Sequence, residues 1–433
     1  MECCCHCPWQ GASANALPAD LADRQPAAFP FSGFFTLPQA DDNSRQGKNM
    51  DNAKWGRRQF AFGMGAAALG TLAPARVRAQ GAERIVLGQS AAFTGPAAEL
   101  GVQFNAGAQL YFNAVNAQGG VGRRSIELRT LDDGYEPARC ADNTRKFIAD
   151  DVFALFGYIG TPTSLAALPL LTQTRLPFFA PFSGAPALRQ PFNRLVFHVR
   201  ASYYDETALI VRQLVNLGVK KIAVFHQNDA YGKAGLDGVN KALAEHKLPL
   251  AGAATVERNS VDVAAAVEKL VAAKPDAVVQ IAAYGASAAF VRAARKAGFG
   301  GTFYNVSFVG TQALADELGK DGAGVVVSQV VPSPYQPSRQ ITREFLDAIK
   351  KAGDKVQPNY SSMEGFLAAR IFTEGLRQAA ASGKISRDSF ISGMEGLGSQ
   401  VISGFPVSFG PNDHTASTFV EMSMLTGDGR VRT

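Results

Sequence analysis

From residue 84 onward, short apolar runs rich in Val, Ile and Phe alternate with longer stretches in which apolar residues recur at helical spacing. Strands are predicted at 85–88, 126–131, 153–156 and 177–180, separated by helices near 101–117, 137–149 and 164–174. A run of β-rich residues followed by a helix, repeated, is the pattern of a parallel α/β sheet. Several boundaries carry their own mechanism. Pro137 suits the first turn of a helix, and Gly119-Gly120 can take the left-handed conformation that ends one.

After a link at 196–202 the plan starts again, with strands at 222–226, 252–256, 277–282 and 302–306 and helices at 233–246, 261–273 and 286–297. Two such series predict two α/β lobes. Residues 325–331 read as a further strand, followed by an extended connector at Pro332, Pro334 and Pro337. Helices near 339–352 and 362–381 then lead to short strands at 405–409 and 419–425. These last pieces complete the earlier lobes rather than build a third, so the chain is expected to cross between lobes several times, leaving a hinge beside a cleft.

Composition narrows the class. The chain of 433 residues is 46% hydrophobic and 18% charged, the balance of a soluble globular protein of two or three domains. After residue 79 it holds 35 basic and 31 acidic residues. The basic doublets Arg123-Arg124, Lys220-Lys221 and Lys350-Lys351 are far apart with no aromatic interleaving, which argues against nucleic acid as a partner. Cys3, Cys4, Cys5 and Cys7 crowd the start, and only Cys140 lies in the body, so the body has no internal disulfide. The scattered histidines 198, 226, 246 and 414 lack metal-ligand spacing, and no metal or other cofactor is expected.

Residues 50–79 have the plan of an export signal: Arg57-Arg58-Gln-Phe60, an uncharged run from Phe60 to Ala75, then Val77-Arg78-Ala79. The 16-residue run is shorter than the roughly 20 residues a membrane span needs. The arginine pair makes the leader twin-arginine-like, with cleavage near Ala79 and a periplasmic product. Gly63-Met-Gly65-Ala-Ala-Ala68 matches a dinucleotide fingerprint, but it follows two arginines inside this leader instead of a buried strand. Residues 1–49 are expected to be a misassigned start or a disordered extension.

Open α/β sheets bind ligands beyond the C-terminal strand ends. The loops there are rich in glycine, hydroxyls and aromatics and nearly free of titratable groups: Ala91 to Pro96 with Leu100 beyond, Gly157 to Ser164, Pro181 to Gly184, Gln227 to Gly232, Tyr284-Gly285 and Ser307 to Gly310. Hydroxyls beside free N–H groups at a helix start suit a carboxylate, which assigns Thr161, Thr163, Ser164 and Ser183 to that role. Thr163 and Ser183 are equally read as caps of their own helices. Tyr158, Tyr231 and Tyr284 are candidates for the pocket wall or for plain packing, and Asp229 for orienting a loop or touching a ligand.

Read in order, Phe93-Thr-Gly-Pro96, Gly107-Ala108, Asn116-Ala-Gln-Gly119-Gly120-Val-Gly122, Asp132-Asp133, Pro177-Phe-Phe-Ala-Pro181, Asp229-Ala-Tyr231-Gly232, Glu364-Gly365 and Gly404 form one series. On these pieces residues 84–430 resemble the type I periplasmic solute-binding proteins of branched-chain amino-acid ABC transporters. The resemblance implies two Rossmann-like parallel-sheet lobes joined by a three-crossover hinge, lobe 1 from 80–202 plus 332–416 and lobe 2 from 203–331 plus 417–433. It implies a monomer that closes on a small ligand and presents it to an ABC permease and its ATPase subunits. The family's carboxylate-binding hydroxyl falls near Thr161, its second carboxylate loop on Phe182-Ser183-Gly184, and its pocket tyrosines on Tyr231 and Tyr284. Where leucine-type binders place an acid for the α-ammonium, this chain has Ser307. Leu100, Phe182 and Phe308 then favour an apolar or aromatic carboxylate, unless Asp229 or Glu364 supplies the missing charge, and Phe93 is a further ligand-binding candidate.

Two other readings stay open at this point. Gly285-Ala-Ser287-Ala-Ala289 looks like a hydrolase nucleophile elbow, with Asp316, Asp347 and His414 in the right order after it, although Ala289 stands where the elbow has glycine. The same fold also serves receptor modules that report a ligand to a sensor.

Overall fold

A computed structural model describes residues 84–433; the cysteine cluster and the export leader lie outside the described residues. The first sheet is built from β1 (Ile85–Ala91), β2 (Ile126–Asp132), β3 (Ala154–Phe156), β4 (Phe178–Phe179) and β5 (Val196–Phe197), all parallel in the order β2-β1-β3-β4-β5. Between them run α1 (Ala98–Ala117), α2 (Pro137–Ala149) and α3 (Thr161–Thr174). Pro137 occupies the first turn of α2, where its missing N–H would have had no partner.

The chain then leaves the first sheet through α4 (Tyr203–Asn216) and builds the second. Here β6 (Ile222–Gln227), α5 (Ala230–Glu245), β7 (Gly252–Val256), α6 (Ala264–Ala272), β8 (Ala277–Ile281), α7 (Tyr284–Lys296), β9 (Thr302–Asn305), α8 (Thr311–Leu318) and β10 (Val326–Gln329) alternate. It returns as α9 (Gln340–Lys351) and α10 (Tyr360–Ala381), the latter packed on α1, followed by α11 (Arg387–Glu395). After the pair β11 (Gly398–Ile402) and β12 (Phe405–Phe409), it crosses a third time to add β13 (Glu421–Leu425) antiparallel to β10 and β14 (Val431–Arg432) antiparallel to β13. That sheet has the order β14-β13-β10-β9-β8-β6-β7.

Strands 405–409 do not complete either large sheet. Ser403 and Gly404 both have positive φ (51° and 79°), the backbone of a tight two-residue hairpin turn, so β12 folds back on β11 as a separate pair. The core is one large apolar cluster plus a smaller one around Cys140, Phe147, Leu155, Tyr158 and Phe178 on the first sheet.

Candidate functional site

Each sheet reverses its strand order once among its parallel strands, between β1 and β3 in the first and between β6 and β8 in the second. The loops and helix starts at those reversals carry Leu100, Thr161, Tyr231 and Tyr284, where the crevice of an open α/β sheet lies. The two halves meet there. Phe308 stands with its ring centroid 5.7 Å from Phe182 and 5.8 Å from Tyr135, and Gln227 donates to the Tyr135 hydroxyl at 3.2 Å. At the rim, Glu136 accepts from Arg258 (3.0 Å) and Asn259 (2.7 Å).

On the first sheet's side, Thr161 opens α3 and Ser183 follows β4. Both are buried, and their hydroxyl oxygens are 2.7 Å apart. Tyr203, at the start of α4, joins them. Burial pushes its pKa up to about 12, while the nearby Ser183 and Thr161 hydroxyls draw it down, although neither makes a hydrogen bond of good geometry with it. Gly184 permits that approach: a Cβ there would lie 2.6 Å from the Tyr203 nitrogen, which donates to the Gly184 carbonyl at 2.8 Å.

From the second sheet comes Tyr231, fully buried, its ring 5.3 Å from Tyr203 and 4.5 Å from Phe308. Its backbone N–H donates to the carboxylate of Asp229, the N-cap of α5, so Asp229 positions this tyrosine. Ser307 has an acid beside it after all. Its N–H and hydroxyl donate to the buried Glu206 of α4 at 2.7 and 3.1 Å, and Ser328 adds a third donor at 2.6 Å. Burial raises the Glu206 pKa against the opposing pull of Arg200 and these donors.

Arg200 lies in the first crossover. Its Nε and Nη2 make a bidentate pair with Glu364 of α10 at 2.8 and 2.9 Å, both side chains being almost wholly buried. Gly365 allows α10 to come close enough, since a Cβ there would sit 2.0 Å from the Phe104 carbonyl oxygen on α1. The guanidinium lies 4.1 Å over the Phe182 ring. Burial alone would lower its pKa, but the Glu364 carboxylate outweighs that and holds it cationic.

The remaining predicted residues are placed differently. The Tyr158 hydroxyl bonds Thr144 at 3.1 Å and its ring packs on Phe178, within the smaller apolar cluster and away from Tyr203 and Tyr231. Thr163 donates back to the Ile159 and Gly160 carbonyls, the local alternative that its position in the first turn of α3 offers. Phe93 is half-buried, its N–H held by Asp132, which also binds Thr94 and Arg139; burial opposes these bonds, yet they keep the Asp132 pKa near about 2. Leu100 is buried against Gly310 of the second half. Tyr284 opens α7 and is nearly buried, where burial raises its pKa. Ser164 is buried with its hydroxyl unpartnered.

The hydrolase residues do not assemble. Ser287 donates to the Ala282 carbonyl inside the second half, whereas His414 stacks on Phe197 at 3.9 Å and lies 3.4 Å from Glu395. No group of His, Cys, Asp and Glu among the described residues could hold a metal ion. Two grooves of ≈540 and ≈680 Å³, one beside Tyr111 and Phe366, the other along β11 and β12, lie apart from the cluster.

Tyr135, Arg200, Tyr203 and Glu206 are the members that sequence reasoning missed. The last three lie in or beside α4, a stretch between the link at 196–202 and the strand at 222 to which the sequence pattern assigned no element. A signal was present: Ser202-Tyr-Tyr-Asp205 is a capping box, and the reciprocal bonds between Ser202 and Asp205 form in the structure.

The comparisons with known proteins agree with this fold. The model of the periplasmic binding protein family matches residues 84–429. The solved structure of a possible leucine/isoleucine/valine-binding protein from Rhodopirellula baltica is 36% identical with a TM-score of 0.75, covering 80% of this chain and 95% of that one. A substrate-binding periplasmic protein from Ralstonia solanacearum is 31% identical with a TM-score of 0.75, covering 80% and 99%. Leu/Ile/Val-binding protein homolog 3 of Brucella melitensis is 25% identical over 195 residues, 45% of this chain and about half (53%) of that relative.

Proposed function

The chain belongs to the type I periplasmic binding protein family that contains the Leu/Ile/Val-binding proteins, and from that premise we propose that it clamps a small carboxylate-bearing ligand between its two halves and delivers it to an ABC permease. Members of this family are exported ligand-binding proteins of ABC transport. The ligand class proposed is a branched-chain amino acid or a related apolar or aromatic carboxylate. Export through the leader at 50–79 is part of the same proposal, and Arg57→Lys with Arg58→Lys should sharply lower periplasmic yield.

One observation carries the reading. Beside the Thr161–Ser183 pair, the Tyr203 hydroxyl, the Tyr231 hydroxyl and Arg200 Nη1 are all buried without a hydrogen-bond partner. Buried polar groups are normally satisfied, and three gathered from both sides of a hinge call for a ligand that bonds them all. Thr161 and Ser183 supply hydroxyls at the start of α3, whose free N–H groups and dipole favour an anion. Phe182, Phe308 and Leu100 supply apolar contact.

A ligand touching both halves favours the closed form by its differential affinity, and raises stability by about 2.7 kcal/mol at a hundredfold excess over Kd. Small-angle scattering on protein refolded free of carried ligand tests this, using branched-chain amino acids and aliphatic and aromatic carboxylates. Contraction on binding is expected. An unchanged radius with a tightly bound ligand would overturn the clamp.

A further inference from the structure

The buried charges around the cleft differ in how much hydrogen-bonding capacity they have left. The acids come first. Both oxygens of Glu364 are taken by Arg200. Glu206 accepts from the Ser307 N–H, the Ser307 hydroxyl and the Ser328 hydroxyl. Asp229 accepts from the N–H groups of Tyr231 and Gly232 through one oxygen, and from Gln227 and Arg258 through the other. Every acid beside these tyrosines is therefore engaged by protein donors.

The uncommitted atoms are of the opposite kind. Arg200 Nη1 can only donate, and the hydroxyls of Tyr203 and Tyr231 can donate as well as accept. The Arg200 guanidinium lies 4.1 Å over Phe182, whose ring meets Phe308, and Phe308 in turn packs on Tyr231, the neighbour of Tyr203. A ligand that offers acceptors satisfies this set without disturbing any existing bond. A ligand ammonium needs acceptors, and finds only the tyrosine hydroxyls or the remaining lone pairs of carboxylates that already accept from a serine, a backbone N–H or an arginine.

We propose that Arg200 is the charged anchor of the ligand's carboxylate, and that the site selects carboxylates lacking an α-ammonium on an apolar or aromatic body. This rests on the carboxylate-clamp reading above and narrows it. The rings of Phe182, Phe308, Tyr135 and Tyr231, mutually 4.5 to 5.8 Å apart where they meet, supply the surface for that body.

The test is calorimetry on refolded protein with two matched pairs, 3-phenylpropanoate against L-phenylalanine and 4-methylpentanoate against L-leucine. In at least one pair the deaminated member is expected to bind at least tenfold more tightly. Arg200→Met combined with Glu364→Met removes both charges, so neither is left buried alone, and should cost that carboxylate at least tenfold in affinity. Tyr203→Phe, which breaks no internal hydrogen bond and should fold normally, is expected to weaken it about threefold or more. Tighter binding of the amino acids, or unchanged carboxylate affinity in a folded double variant or in Tyr203→Phe, would overturn the assignment while leaving the clamp in place. Failure of all four compounds to bind or to contract the protein would overturn the clamp reading together with it.

Discussion

Two buried polar clusters, one within the first sheet's half and one where the two halves meet, are built from similar residues and end differently. In one, Ser90 donates to Asp133 (2.7 Å), Asn143 donates to Ser90 (3.1 Å), and Thr144 bonds both the Cys140 carbonyl (2.8 Å) and the Tyr158 hydroxyl (3.1 Å). Each of those side chains has a partner within the cluster. In the other, Thr161 and Ser183 bond each other, while the hydroxyls of Tyr203 and Tyr231 and one nitrogen of Arg200 have none. Tyrosine and threonine at the end of a strand do not by themselves mark a ligand site. What separates the two is whether the protein satisfies its own donors.

The largest expected effect tests how much the second cluster depends on its charge pair. Arg200→Met alone leaves Glu364 buried without a partner, which should cost about 3–5 kcal/mol of stability by chemical denaturation. Adding Glu364→Met should recover most of it. No recovery would mean that Arg200 stabilises through packing on Phe182 more than through its charge.

The next effect belongs to the first cluster. Burial pushes the Asp133 pKa up to about 6, against the bonds from Ser90 and Tyr135. The folded state therefore holds this proton more tightly than the unfolded chain. Its contribution to stability is full below pH ~4 and is lost as pH rises through 6, a change of roughly 2–3 kcal/mol. The neighbouring Asp132, near about 2, has the opposite sign: its contribution is present above pH ~4 and disappears as pH falls through 2. Denaturation midpoints between pH 4 and 7 should show the Asp133 slope, and Asp133→Asn should flatten it. An unchanged slope in that variant would move the titration elsewhere.

A smaller effect sharpens the contrast directly. Tyr158→Phe deletes a hydroxyl bonded to Thr144, so stability should fall by about 1 kcal/mol while ligand affinity stays the same. A loss of affinity instead would return Tyr158 to the site.

The legible and illegible parts of the sequence divide along physical lines. Strands at 85, 222 and 277 were readable because each is an apolar run between turn residues, and α2 because Pro137 fixes its start. Thr161 and Ser183 were readable as hydroxyls in loops after successive strands, but their bond to each other comes from the fold. Three things were not readable. Helix α4 begins with Tyr203-Tyr-Asp-Glu206, where the buried positions are Tyr203 and the acid Glu206, so the apolar pattern that announces a helix was weakened where it mattered. Arg200 and Glu364 are 164 residues apart and meet only because α10 returns to lie on α1. Tyr158 and Tyr231 follow strands in the same way, and only the packing of α2 against α3 explains why Tyr158 joins Thr144 rather than the cleft.

The most direct test of the account is the change in affinity and stability produced by one threonine from each cluster. Calorimetry and denaturation on Thr161→Ala and Thr144→Val, with 3-phenylpropanoate, 4-methylpentanoate and their amino-acid counterparts as ligands, read both quantities. The account predicts that Thr161→Ala loses about 1.5–3 kcal/mol of binding, roughly 10 to 150-fold, beyond the ~1 kcal/mol of ligand-free stability lost with its Ser183 bond, whereas Thr144→Val loses stability and keeps its affinity. Full affinity in Thr161→Ala, or an affinity loss confined to Thr144→Val, would contradict it.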